Sequence, residues 1–447
     1  MNNLKAGFAR TCINPKLGTP ISGYFHERLT EGFLDDLEAN ALALSDGNET
    51  ILFICADSCG FSYPVQTPYR EAISKELGIP MKNIIVSATH THTGPCCYVD
   101  SGDELVDEYI EFLGGKLLEV SKAAVADLTD AKMGYGLGKA ENISFGRRYV
   151  MKDGSIKTNP GVNNPDIVKP LGRVDERVSV VRFDRADGET IVFVNFATHP
   201  DVVGGNLISG DWPTLLRKTV EKVIDNSKCI FVNGAQGDVN HVNVHPKGGD
   251  FNGMFNDFDD VARGYAHSQH MANVITGGVL QCFSKVQYVD VDKITAVEKA
   301  INVPSNMPKK EDMPEAHRIN DLHEAGKDSE LPYEGMMLTT VVAEARRMVR
   351  LENGPENFEM IMNAVTFGGV GFVTIPGEGF TEIGMALKET EGFDMVIPLG
   401  LSNGYQGYFP MASNYAEGGY EARSSNFKAG VAEIIIDEGK ALLKSLK

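Results

Sequence analysis

No stretch of this 447-residue chain approaches the roughly 18 consecutive apolar residues of a membrane-crossing helix. Its first residues, MNNLKAGFARTCINP, lack the charged-then-apolar order of an export signal. The expectation is a cytoplasmic protein without integral membrane association. Positive charge is scarce: 42 Lys and Arg stand against 61 Asp and Glu, a formal net charge of −19. A field of that sign repels nucleic acid and anionic membrane surfaces. The cysteines (Cys12, Cys55, Cys59, Cys96, Cys97, Cys229, Cys282) are odd in number and have no zinc-ribbon or disulfide-framework spacing. Internal repeats and low-complexity tracts are missing. So are two common metal motifs, HExxH and HxHxDH, since Thr93 and Gly94 follow His92.

What is present is enough apolar sequence, 42% of residues against 23% charged, to bury a large core. Short apolar runs alternate with helical periodicity, which predicts an α/β or α+β fold of mixed sheets packed with helices. Thr50 to Ala56, Ile84 to Ala88, Val178 to Phe183, Ile191 to Phe196, Cys229 to Asn233, Phe372 to Ile375 and Met395 to Ile397 read as strands. Asp46-Gly47, Asp187-Gly188 and Gly368-Gly369 read as hairpin turns, so part of the sheet is antiparallel. Helices are expected after a capping box of Ser101 and Glu104, after a cap at Asp211, through Val261 to Phe283, and from Ala429 to Leu446. One unit of residues 1–447 is expected, broken by a charged helical excursion at about 304–332, KKEDMPEAHRINDLHEAGKDSELP.

Five motifs begin where a predicted strand ends. They are SATHTHTGP with His90 and His92, NFATHP with His199, NGAQGDVNH with Asp238, IPGEGF with Glu378, and GLSNGYQGY with Tyr405 and Tyr408. Sites in open sheets gather at the C-terminal ends of strands, so neighbouring strands would bring these residues to one rim. Two imidazoles and a carboxylate suit a zinc ion that keeps one position open for water. His90 and His92, two apart, point to the same side of an extended segment. A structural zinc would call for four Cys or His ligands, which the cysteine spacing does not offer. Lyase or isomerase chemistry on a small carbohydrate-derived substrate stays open beside hydrolysis. His241 follows Asp238 as either a site-lining residue or a plain loop residue. Arg147 and Arg148 in NISFGRRYVMKDG are either a solvated turn or a carbonyl or carboxylate clamp.

Together AGFARTCINP, SATHTHTGP, NFATHP with SGDWP, NGAQGDV, PGE and GLSNGY resemble the catalytic domain of neutral/alkaline ceramidases, zinc-dependent amidases that cleave the acyl amide of ceramide. The motifs run in the family's order from residue 6 to about residue 424. The resemblance implies one Zn²⁺ per chain, held by His90, His199, Glu378 and a tyrosine, Tyr408 before Tyr405. It also implies that His92 and Tyr420 donate to the developing oxyanion, and that the metal lowers the pKa of its water. Three departures qualify it. Asn240 replaces the serine that follows GDV in ceramidases, and an asparagine cannot act as nucleophile. Arg147 and Arg148 do not align cleanly with the family's amide-contacting arginine. The family's export and its C-terminal β-sandwich domain are not expected here. The catalytic candidates are therefore His92, Tyr420, Asp238, Asn240 and His241, and the substrate-binding candidates Arg147, Arg148 and Tyr405. The expected partner is a small-molecule substrate, a polar amide, ester or lactone with ceramide as the family-derived alternative. A homo-oligomer stays open.

Overall fold

The computed structural model describes residues 3–99, 101–247, 254–256 and 261–447. Most of its strands gather in two sheets. The larger comprises β1 (Lys5–Cys12), β2 (Glu38–Ser45), β3 (Thr50–Ala56), β4 (Ile84–Ala88), β5 (Thr129–Lys139), β6 (Arg177–Arg185), β7 (Thr190–Phe196), β8 (Ser227–Asn233) and β9 (Gln287–Val289). Its order is β8-β7-β6-β5-β1-β2-β3-β4, with β9 also on β5. The smaller runs β10 (Thr295–Pro304), β11 (Asn357–Phe367), β12 (Val370–Ile375), β13 (Met395–Gly400). The helices are α1 (Tyr63–Leu77), α2 (Glu104–Ala126), α3 (Asp211–Val223), α4 (Tyr265–Phe283), α5 (Met313–Glu324), α6 (Gly335–Leu351), α7 (Thr381–Lys388), α8 (Ala412–Glu417), α9 (Tyr420–Ser424) and α10 (Val431–Ser445). None of the described helices is long and apolar enough to cross a membrane.

The side-chain alternation of the strands sets the layering. On β2 and β3, Leu42, Leu44, Ile51 and Phe53 face a core shared with Val365, Phe367, Phe372 and Ile397 of the smaller sheet. The intervening Ala41, Ala43, Leu52 and Ile54 face α1 and α2. Farther along the same outer face, Val192, Val194 and Phe231 meet α3 and α4. The outer face of the smaller sheet packs on α7 and α10 through Met362, Val373, Ile383, Leu387, Ile435 and Leu443. The result is an α/β/β/α sandwich, and a strand buried on both faces is apolar throughout, as TILFICA of β3 is. Where α4 crosses β5 the backbones nearly touch: a Cβ on Gly138 would fall 1.8 Å from the Gly278 carbonyl oxygen.

Within the two sheets three pairs are parallel, β3 with β4, β7 with β8, and β12 with β13. Helices α1, α3 and α7 make the three crossovers. The expected fold class and all seven expected strands are present, two with the expected bounds and five longer by one to three residues. Two caps differ from expectation. Asp103, and not Ser101, caps α2, its carboxylate accepting from the Leu105 and Val106 amides. Asp211 is the first residue of α3, not its cap, and its carboxylate instead takes the Val202 and Val203 amides. The charged excursion is helical and longer than its composition suggested. It leaves the sheet at Pro304, forms an α5–α6 hairpin with its own small core of Met313, Ile319, Val342 and Met348, and returns at Asn357.

Candidate metal centre

Each parallel pair releases its chain at the same rim. From β4 the chain reaches His90, whose φ of 77° lies in the left-handed region that non-glycine residues seldom adopt. From β7 it reaches His199, and from β12 Glu378, which pairs in parallel register with Tyr408 beyond β13. The three side chains are almost fully buried, with 1% or less of each exposed.

Glu378 Oε2 lies 3.2 Å from His90 Nε2 and 3.0 Å from His199 Nε2. Despite that proximity it makes no hydrogen bond of acceptable geometry. Three donor atoms that face a common centre, and not one another, are what a metal ion requires. Two ligand atoms about 2.0–2.1 Å from a tetrahedral ion stand about 3.3 Å apart, close to the spacing here. The other nitrogen of each ring is engaged: His90 Nδ1 meets the Cys59 carbonyl, and His199 Nδ1 lies 2.8 Å from that of Gln236. Those carbonyls fix the proton on Nδ1 and put the lone pair on Nε2, which for His199 faces the Arg147 guanidinium at 3.3 Å and for His90 faces His92 Nε2 at 3.3 Å. Electrostatics agree. Burial disfavours charge on Glu378, yet His90 and His199 hold its pKa well below the ordinary value. Burial also opposes a proton on His90, but Glu378 and Cys59 raise its pKa well above normal. The pocket thus demands positive charge where the three atoms meet. A second grouping, Cys59 with His90 and His92, shares His90. Its thiol lies 3.7 Å from Nδ1, the nitrogen already engaged by the Cys59 carbonyl, so it is the poorer cation site.

The tyrosines and His92 complete the rim. Tyr405 donates to Glu378 Oε1 at 2.9 Å, leaving Oε2 to the centre. Tyr408 hydroxyl is 3.1 Å from Arg147, and its ring lies 5.5 Å from that of Tyr420. His92 Nε2 is 3.3 Å from His90 Nε2. Burial and the His90 charge push the pKa of His92 well down, so it is neutral at physiological pH. Gly23 closes over it: its φ is 100°, and a Cβ there would stand 2.7 Å from the His92 ring. These residues line one cavity of about 590 Å³ with Tyr24, Phe25, Cys59, Tyr98, Ala343, Arg346, Arg350, Gln406, Gly407, Ser424 and Asn426.

Other candidates are placed differently. Arg147 is buried, donates to Glu421 at 2.7 Å and to the Gly237 carbonyl, and lies 3.3 Å from His199 Nε2. Arg148 pairs with Glu417 at 2.9 Å and flanks Glu421 at 3.9 Å. The doublet therefore braces α9, which carries Tyr420, instead of lining the cavity as a substrate clamp. Glu421, fully buried between the arginines and Thr158, is a site-building residue that the sequence reading passed over. Nothing in its YEAR context distinguishes it from a surface helix. Asn240 bonds Asn159, and His241 lies between Asp201 and the Ala262 carbonyl. Neither lines the cavity. Asp238, one of the catalytic candidates, accepts from the Thr381 amide and hydroxyl at 2.8 and 2.9 Å and so anchors the first turn of α7.

Burial and the neighbouring Glu382 push the Asp238 pKa up to about 7. In the unfolded chain this carboxyl ionises near 3.8, so stability from this group is present at low pH and lost as pH rises toward 7. Asp238→Asn, whose amide oxygen still accepts from Thr381, is expected to flatten that loss. The urea midpoint of the variant minus that of the wild type should climb between about pH 4 and pH 7 and then level off. A difference that does not change with pH refutes the assignment.

No protein-family model matches the chain, and no curated protein matches it in sequence. Two solved structures share its fold. Neutral ceramidase from Pseudomonas aeruginosa aligns over 100% of this chain and 75% of its own, with 16% identity and a TM-score of 0.75. A ceramidase complexed with C2 aligns over the same shares, with 14% identity and a TM-score of 0.74.

Proposed function

We propose that this chain, which has the neutral ceramidase fold, is a zinc-dependent hydrolase that cleaves an acyl bond of a small-molecule substrate, an amide before an ester or lactone. The observation that carries the reading is the buried convergence of His90 Nε2, His199 Nε2 and Glu378 Oε2, the last without a hydrogen bond of its own. Two imidazole nitrogens and a carboxylate oxygen suit Zn²⁺, which would displace the proton His90 otherwise holds, with Tyr408 as the proposed fourth protein ligand. Zinc bound there would supply a water of lowered pKa and polarise the scissile carbonyl.

The chain's own groups do the rest. The Cys59 and Gln236 carbonyls hold the two ligand rings, and Tyr405 turns Glu378 so that one oxygen faces inward. His92 is neutral and beside the same centre, placed to donate its ring N–H to the carbonyl oxygen as negative charge develops there. Burial and Glu378 raise the pKa of Tyr420, so its phenol keeps the proton it would donate to that oxygen. Arg147, Arg148 and Glu421 position Tyr420 from behind. Asn240 offers no nucleophile at the position after GDV, and the proposed attacking group is water.

Dialysis against a chelator is expected to abolish hydrolysis of short N-acyl substrates, acyl sugars or lactones, and stoichiometric zinc to restore it. Turnover in H₂¹⁸O should place one label in the product acid. Label-free product identifies the lyase or isomerase alternative, and turnover indifferent to chelation removes the metal. Efficient hydrolysis of long-chain ceramide, instead of the short polar substrates, would overturn the expectation of a polar substrate.

A further inference from the structure

Helix α6 belongs to neither sheet, yet through Ala343, Arg346 and Arg350, which share one helical face, it lines the same cavity as His90 and Glu378. Among the described residues that line this cavity Glu378 is the one carboxylate, and it is turned onto His90 and His199. The two guanidiniums are left without a buried counter-charge. Arg346 has Glu324 at 3.5 Å, an exposed pair of the kind that contributes little. Arg350 donates to the neutral amide of Asn426. The nearby Arg423, in contrast, is fully matched by Glu344 at 2.8 Å.

Like charges one turn apart on a helix repel, and both residues are solvent-exposed. Packing does not demand the pair, because α6 docks on α5 through Val342, Ala345 and Met348. The C-terminal position in the helix favours cations in general, but does not explain why both face the cavity of a chain whose net charge is −19. A bound anion accounts for both facts, since paired guanidiniums bind carboxylate or phosphate oxygens in fork geometry. We infer that Arg346 and Arg350 form the recognition site for an anionic group on the substrate, so that the compound cleaved is an acyl amide or ester that carries a carboxylate or phosphate away from the scissile bond. The bond that breaks rests on the hydrolase reading above; the anion contact does not.

The test uses zinc-loaded enzyme and two matched esters: mono-4-nitrophenyl glutarate, and 4-nitrophenyl 5-methylhexanoate, in which an isopropyl group replaces the carboxylate. Wild type should favour the glutarate, with a KM that rises with sodium chloride for the glutarate ester alone. In R346Q/R350Q the ratio of kcat/KM values, glutarate over methylhexanoate, should fall by about 100-fold, mostly through KM. R346K/R350K should recover part of it, with zinc content and melting temperature as folding controls. Calorimetry with glutarate and with inorganic phosphate, neither of which turns over, reads the anion site directly and shows which anion it prefers. At least one should bind wild type about 10-fold tighter than R346Q/R350Q. If neither ester is hydrolysed yet that difference is seen, the hydrolase reading fails and the anion site stands. An unchanged ratio or equal binding in wild type and variant overturns the inference, as does wild-type preference for the neutral ester without salt dependence.

Discussion

His199→Ala is expected to yield a folded protein that has lost its metal and, with it, roughly 10³-fold or more of its activity. The ring is fully buried, its Nδ1 is held by the Gln236 carbonyl, and its Nε2 stands 3.0 Å from Glu378 Oε2. His90→Ala should behave in the same way, and Glu378→Gln should weaken the metal while preserving volume. Cys59→Ala is the internal contrast, because Cys59 orients His90 through its backbone carbonyl, which the substitution keeps. Metal analysis of the four purified variants reads all of this at once. Full metal content in both histidine variants would falsify the proposed centre, and loss of metal in Cys59→Ala would transfer the site to the Cys59, His90 and His92 grouping.

His92→Ala separates catalysis from metal holding. An oxyanion donor is worth on the order of 3 kcal/mol, so kcat should fall about 10²- to 10³-fold while zinc stays stoichiometric. Tyr420→Phe should act in the same direction, since it deletes one hydroxyl while leaving the ring that packs against Phe25 and Tyr408. The loss should appear in kcat more than in KM, because the donation strengthens only as charge develops. If metal and activity vanish together in His92→Ala, the histidine is a ligand and the division of labour between His90 and His92 is wrong.

The residues that meet at the rim were legible because each follows an apolar run that both local pattern and final fold make a strand. β3, β4, β7, β8, β12 and β13 are mostly buried on both faces, so their sequences are predominantly apolar, with isolated polar residues such as Ser87, Asn195 and Thr374. Other strands hide. EANALALS of β2 has the alanines and leucines of a helix, but its alanines are the small side chains that let helices pack against the sheet. TDAKMGYGLGK of β5 carries glycines where α4 crosses it, a requirement of packing and not of strand formation. At the site, histidines and PGE announce ligands, whereas Glu421 and Arg350 become meaningful only once α9 and α6 are folded against the cavity. The contacts of Asp238 were hidden for a related reason: a carboxylate after a strand can equally serve the first turn of a helix that arrives from the other sheet.

That convergence also orders events in the cell. His90 and His199 end strands of the larger sheet, while Glu378 ends a strand of the smaller one and is translated long after them. No two of the three crossovers make the trio, so a ribosome-bound chain that has finished the first sheet holds two imidazoles and no carboxylate between them. The three side chains therefore converge only after synthesis and sheet docking are complete.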